Sequence, residues 1–197
     1  MTVYQISTPI SEEETRKFIV RDVIYLSGTI FTARDEAHRR ALELASKGMT
    51  LPIKVDGLAM YHCGPIVRKV DEKWRIISAG PTTSSRMEMF ESDFLRNFKV
   101  SMIIGKGGMG PNTTEAMKKH VTVYGTFTGG AGALAAESII DIEGVEWLDL
   151  GIPEALWSFK IKNFGPIIIT IDSYGNNLHQ SLMKKVEKRI DQMKKKL

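Results

Sequence analysis

Two short segments carry the residue types that could do chemistry. In Ala79-Gly80-Pro81-Thr82-Thr83-Ser84-Ser85-Arg86-Met87, hydroxyls and a guanidinium gather where a Gly-Pro pair hands over to a predicted helix. A helix start offers unpaired backbone N–H groups, so hydroxyls and a fixed fork of donors beside it make an anion seat. About twenty residues on, Gly105-Lys106-Gly107-Gly108-Met109-Gly110 puts a second cation in a glycine-rich loop. Such a loop exposes backbone N–H groups and tolerates positive φ. Two cationic anchors suit a ligand with two negative ends.

Each feature also has a plainer reading. Thr82, Thr83 and Ser84 are ordinary caps and turn formers after Gly-Pro. Capping does not account for Arg86, because a guanidinium in the first turn opposes the helix dipole unless something negative lies near it. Lys106 fails the Walker pattern, since it is followed by Gly107 rather than Ser or Thr. Gly130-Ala131-Gly132-Ala133-Leu134-Ala135 fits a dinucleotide-type Gly-x-Gly-x-x-Ala, with Asp149 downstream. That pattern is short and comes too late to open a full dinucleotide-binding half, so close packing of a loop on a helix is the simpler expectation.

The remaining reactive residues are few. Cys63 is the chain's one cysteine, which excludes an internal disulfide and cannot alone hold a zinc or an iron-sulfur cluster. His38, His62, His120 and His179 show no metal-ligand spacing, so no self-contained metal site is expected. His62 adjoins Cys63, but neighbours on a strand face opposite ways, so a buried thiol is expected rather than an activated nucleophile. His38 lies four residues after Arg34 on one helical face. It could line the same pocket or be a capped surface histidine.

These residues need elements to hold them. Val20–Phe31 has strand composition, and Arg34–Gly48 has helical spacing, with Thr32 or Asp35 as cap and Gly48 as stop. Arg34 therefore falls at a strand-to-helix junction, where rigid backbone fixes an anchor. A strand over Gly57–Val67, a polar turn at Asp71-Glu72-Lys73 and an apolar run over Trp74–Ala79 predict a hairpin. Met87, Phe90, Phe94 and Leu95 recur helically, Lys99–Ile104 reads as a strand, and Pro111 opens the next helix. Strands at 121–124, 138–142 and 167–171, a short helix at 133–137 and a last helix at 177–196 complete a mixed α/β domain over residues 1–197. The acidic run Glu12-Glu13-Glu14 reads as a turn or edge segment.

Composition narrows the function classes. The 197 residues are 43% hydrophobic, enough for a sizeable core. No long uncharged apolar run occurs, which points to a soluble, cytoplasmic chain without a membrane partner. The net charge is +4. Residues 181–197 hold seven Lys or Arg against two acidic residues, so the rest is close to neutral. One basic terminal helix without a recognised motif does not make a nucleic-acid surface.

Taken together, Gly28-Thr29, Ala33-Arg34-Asp35-x-x-His38, Tyr61-x-x-Gly64-Pro65, the Gly80–Met87 run and Gly105–Met109 resemble the class I fumarate hydratase and L-tartrate dehydratase family of iron-sulfur hydro-lyases, beta-subunit type. The resemblance implies a swivelling β/β/α domain with a mixed central sheet. It implies that Arg34, Arg86 and Lys106 bind a dicarboxylate and that Thr82 is the candidate base, with His38 and Thr83 as possible pocket lining. It also implies a [4Fe-4S] cluster ligated by an alpha subunit, a heterotetramer of two alpha and two beta chains, and reversible hydration of fumarate to (S)-malate. L(+)-tartrate dehydration, a dinucleotide-binding module and a non-catalytic structural partner are the alternatives.

Overall fold

The computed structural model describes residues 1–194. In chain order they form β1 (Val3–Ser7), α1 (Glu12–Thr15), β2 (Val23–Thr32), α2 (Asp35–Ser46), β3 (Ala59–Tyr61), β4 (Ile66–Val70), β5 (Lys73–Ser78), α3 (Glu88–Asn97), β6 (Met102–Gly105), α4 (Pro111–His120), β7 (Val123–Thr126), α5 (Gly132–Glu137), β8 (Ile139–Glu146), β9 (Leu156–Ile171) and α6 (Leu178–Lys194). One sheet runs β1-β2-β3-β6-β7-β9-β8. Its first five members are parallel, whereas β9 is antiparallel to β7, β8 and β2. Because β9 pairs with both β2 and β7, strands β2, β3, β6, β7 and β9 close into a small barrel. This mixed sheet with helices around it is the swivelling β/β/α architecture that the sequence implied.

The residue pattern explains the layers. Every position of β3 and β6 is buried, as expected of parallel strands covered on both faces. One core is built on Leu26, Tyr61, Trp157, Phe159 and Phe164. A second, under the helices, gathers Phe31, Ala37, Met60, Phe94, Ile103 and Met117. The β4–β5 hairpin turns through Asp71 and Glu72, both at positive φ, a geometry that matches the twist of a two-residue hairpin.

Several boundaries differ from the sequence reading. Gly57–Val67 is not one strand: β3 ends at Tyr61, and the chain bends through His62–Pro65 before β4. The strand expected at 167–171 begins at Leu156 instead, because β9 continues through Gly165-Pro166 with register shifts against β2. Glu12–Glu14 form the single turn of α1, closed by a Ser11–Glu14 capping box. The last helix starts after Asn177, whose side chain accepts from the Gln180 amide, and residues 195–197 lie outside the described residues. Of its apolar stripe, Leu178 is half-buried where the helix start packs near β9, whereas Leu182, Val186 and Ile190 are nearly half exposed. Among the described residues no helix is long and apolar enough to cross a membrane.

Candidate functional site

The carboxyl ends of the parallel strands meet one another. β2 leads to Arg34, β3 to His62–Gly64, β6 to Lys106 and β7 to the Gly129 loop. This edge of an α/β sheet is where loops and helix starts collect and where ligands usually bind. The backbone stitches the ends together. The Thr82 amide donates to the His62 carbonyl at 2.7 Å, the Lys106 amide to the Thr82 carbonyl at 3.4 Å, and the Ser84 amide to the Lys106 carbonyl at 3.0 Å. The Thr82–Ser84 segment thus lies as a short bridge along the end of β6.

Arg34 precedes α2 and lies against Gly64, where any Cβ would collide with its Nη1. Its guanidinium pairs with Glu154 at 3.1 Å, and both side chains are about one-fifth exposed. Glu154 also accepts from the Glu36 amide, so it caps α2 from 118 positions away. The cap expected from Thr32 or Asp35 is therefore replaced by a tertiary one. Arg86 lies in a 3-10 turn, Ser84–Met87, ahead of α3. Asp35 accepts from it at 2.8 Å, which supplies the negative neighbour the sequence required. That contact sets Arg86 beside the Arg34 junction.

Lys106 is partly exposed and runs beside Gly129, and Thr83 approaches Gly107. Among the described residues Lys106 makes no ion pair, and neither Thr82 nor Thr83 makes a side-chain hydrogen bond. The helix start after this loop is already filled: Glu88 accepts from the Gly110 amide at 2.6 Å and from the Thr113 hydroxyl at 2.7 Å. The Gly130–Ala135 stretch is a packing device. The Ala79 amide donates to the Gly132 carbonyl, and a Cβ on Gly132 would lie 3.1 Å from the Gly80 nitrogen. The following strand, β8, does not pair with β7, so a dinucleotide-binding half is not formed. Four surface clefts of about 220 to 670 Å³ are lined by residues other than Arg34, Thr82, Arg86 and Lys106.

His38 corrects its expected place. Its ring is fully buried between Phe90 and Phe94 rather than exposed or lining a surface, because it pairs with a buried carboxylate, Glu91. His62 reaches the same Glu91 Oε2 at 3.2 Å, against 3.4 Å for His38. Burial opposes charge on His38, yet the Glu91 carboxylate outweighs it and raises the pKa. Burial lowers that of His62. Glu91, which burial alone would push up, is held at about 2 by the two rings. The three ligand atoms lie within 4.8 Å of one another and could hold a metal ion, a grouping invisible in the sequence because it spans three elements. The donors are nitrogen and oxygen, whereas iron-sulfur clusters are held chiefly by thiolates. Cys63 is buried in the opposite core with its thiol pushed far up by burial, so this chain does not fit a cluster.

Comparison with known proteins gives the family. The family model described as fumarase C-terminus matches residues 2–182. The chain belongs to the fumarase C-terminal family. Within it, the L(+)-tartrate dehydratase subunit beta of Escherichia coli K12 is 47% identical over 173 residues, covering 88% of this chain and 85% of the relative. A putative L(+)-tartrate dehydratase subunit beta from Methanocaldococcus jannaschii is 38% identical over 185 residues, 93% of this chain and 95% of the relative. A putative class I fumarate hydratase from Geobacillus stearothermophilus is 38% identical over 193 residues, 98% of this chain but 36% of that longer protein. The fumarase C-terminal domain here adds Asp35, Glu91 and Glu154 to the residues chosen from sequence. Asp35 stood inside a motif and Glu154 closed a segment, Trp147–Glu154, that also resembles the family; Glu91 gains its meaning only from contacts with distant elements.

Proposed function

We propose that this chain is the beta-type subunit of a two-chain iron-sulfur hydro-lyase acting on a four-carbon dicarboxylate, with L(+)-tartrate dehydration as the leading reading. The observation that carries it is the near full-length similarity to tartrate dehydratase beta subunits. This replaces fumarate hydration as the first choice. The similarity to a class I fumarate hydratase keeps malate and fumarate as the second reading.

In this reading Arg34, Arg86 and Lys106 hold the substrate carboxylates, and the [4Fe-4S] cluster belongs to the alpha subunit. Loss of a proton from the carbon next to a carboxylate builds negative charge on that carboxylate. Fixed guanidinium and ammonium groups stabilise that charge more than the ground state, which lowers the barrier. Thr82 is the candidate proton acceptor. A free hydroxyl is far too weak a base, so its role needs a carboxylate from the partner to take or relay the proton.

The test is anaerobic reconstitution with the alpha subunit and initial rates on L-tartrate and malate. The isolated chain is expected to be inactive and the complex to favour L-tartrate. Turnover by the isolated chain would overturn the two-chain reading, and a higher kcat/KM on malate would install the second substrate.

A further inference from the structure

A buried polar chain runs beneath the Thr82–Ser84 bridge, from the Arg34 carbonyl through His38, Glu91 and His62 to Ser84 and Tyr124. His38 Nδ1 lies 2.7 Å from the Arg34 carbonyl, which can only accept, so that nitrogen carries a proton. Its Nε2 lies 3.4 Å from Glu91 Oε2, and that buried carboxylate favours the imidazolium form of the ring. His62 Nε2 lies 3.2 Å from the same oxygen, and with the proton on that nitrogen its Nδ1 is the acceptor for the Ser84 hydroxyl at 2.9 Å. Ser84 in turn accepts from the Tyr124 phenol at 2.8 Å. With His38 as imidazolium and Glu91 as carboxylate the cluster is neutral overall, and its contacts to Glu91 are electrostatic: neither ring Nε2 meets the carboxylate in hydrogen-bond geometry.

As a metal site the cluster is incomplete. Three donors fall one short of a closed four-ligand site, and all three residues are fully buried, which leaves no open position for water or substrate. Stability alone is a weak reason for the network, since buried ion pairs seldom outperform apolar packing of similar volume. Its ends are the informative part. One is the backbone of Arg34, and the other is the hydroxyl of Ser84, two residues from Thr82 and bonded through its amide to Lys106. Gly105 leaves room for this meeting point, where a Cβ would collide with Ser84 Oγ and lie 3.3 Å from His62 Nδ1.

We infer that Glu91 is a positioning residue, which fixes the His38 and His62 rings and so holds the Arg34 anchor and the Thr82–Ser84 bridge in register. The role rests on the proposed function, because register between these segments matters only if they share a substrate. His38 controls the Arg34 end and Ser84 the Thr82 end, so the two ends have different kinetic signatures.

The test pairs kinetics of the reconstituted complex with nitrogen-15 NMR of the histidines in the full chain. Ser84→Ala is expected to lower kcat about tenfold with KM little changed, His38→Gln to raise KM about tenfold, and Glu91→Gln to do both. In the wild type the His38 ring should be doubly protonated and the His62 ring neutral with its proton on Nε2, the His120 and His179 signals being assigned by substitution. An active wild type whose three variants keep both constants, or lose kcat and KM without this division, overturns the positioning role. Two neutral rings, or one equivalent of bound metal by elemental analysis, overturns the proton order. A wild-type complex inactive on both diacids refutes the proposed function and the positioning role with it.

Discussion

Gly64 tests the anchor role of Arg34 without touching its charge. A Cβ at this position would collide with Arg34 Nη1 and lie 2.9 Å from its Cδ, with the Pro153 carbonyl at 2.8 Å on the other side. The carbonyl is backbone, so the arginine has to give way. Restoring ordinary contact distances moves the guanidinium by about 1 Å, and a misplacement of that size costs about 100-fold, or ~3 kcal/mol of transition-state stabilisation. Overpacking adds a stability loss of about 1–3 kcal/mol. Gly64→Ala in the reconstituted complex should therefore lose kcat/KM on L-tartrate about 100-fold while remaining folded. Gly144→Ala, where a Cβ meets nothing within 4 Å, is the matched control and should match the wild type. Wild-type kcat/KM in Gly64→Ala, with the fold intact by thermal melting, would refute Arg34 as an anchor.

Arg86→Met should cost about 3 kcal/mol or more in kcat/KM, as removal of a charge-stabilising contact does, whereas a purely structural chain would lose nothing measurable. Acid stability should depend on Glu91. Its carboxyl falls from an ordinary 4.5 to about 2 on folding, so it contributes about 3 kcal/mol above pH 4.5 that is lost as the pH drops through 2. His38, raised by folding, contributes below its ordinary 6.5 and loses that contribution as the pH rises through its folded value. Urea midpoints from pH 2 to 9 should show a plateau between these limits, and an identical acid limb in Glu91→Gln would contradict the pairing. Cys63 should resist thiol reagents in the native chain and react fully in urea, because the thiolate is the reactive form and burial disfavours it. Fast labelling of the folded protein would contradict its placement.

What was legible in the sequence was local. Hydrophobic period and punctuation located α2, α4 with Pro111 at its start, and the hairpin turn at Asp71-Glu72. The opposite facing of His62 and Cys63 followed from strand geometry, and the structure sends one ring to Glu91 and the thiol to the other core. What was not legible came from long-range closure. No local signal reveals that β9 ignores Gly165-Pro166 and seals the barrel against β2, because pairing with a distant strand compensates for the interruption. The same holds for Glu154 capping α2 and for the meeting of His38, His62 and Glu91. A carboxylate on a helix looks like a solvated face until the packing partner is known.

If Arg34, Arg86 and Lys106 are the anchors of the proposed function, charge compensation explains how the chain keeps them ready. Arg34 and Arg86 each have a carboxylate in place, Glu154 and Asp35, while Lys106 has none among the described residues. The Arg86–Asp35 pair is half exposed on the arginine side, and an exposed pair contributes about 0–1 kcal/mol. A substrate carboxylate offering two parallel bonds can share or displace Asp35 at little cost, since guanidinium recognises carboxylate best in that fork geometry. Arg34, more enclosed, keeps Glu154, and its buried Nε has no partner within the chain. In the proposed function the internal carboxylates aim the two guanidiniums, Lys106 adds one uncompensated positive charge, and a dianion gains its second when Asp35 is displaced from Arg86.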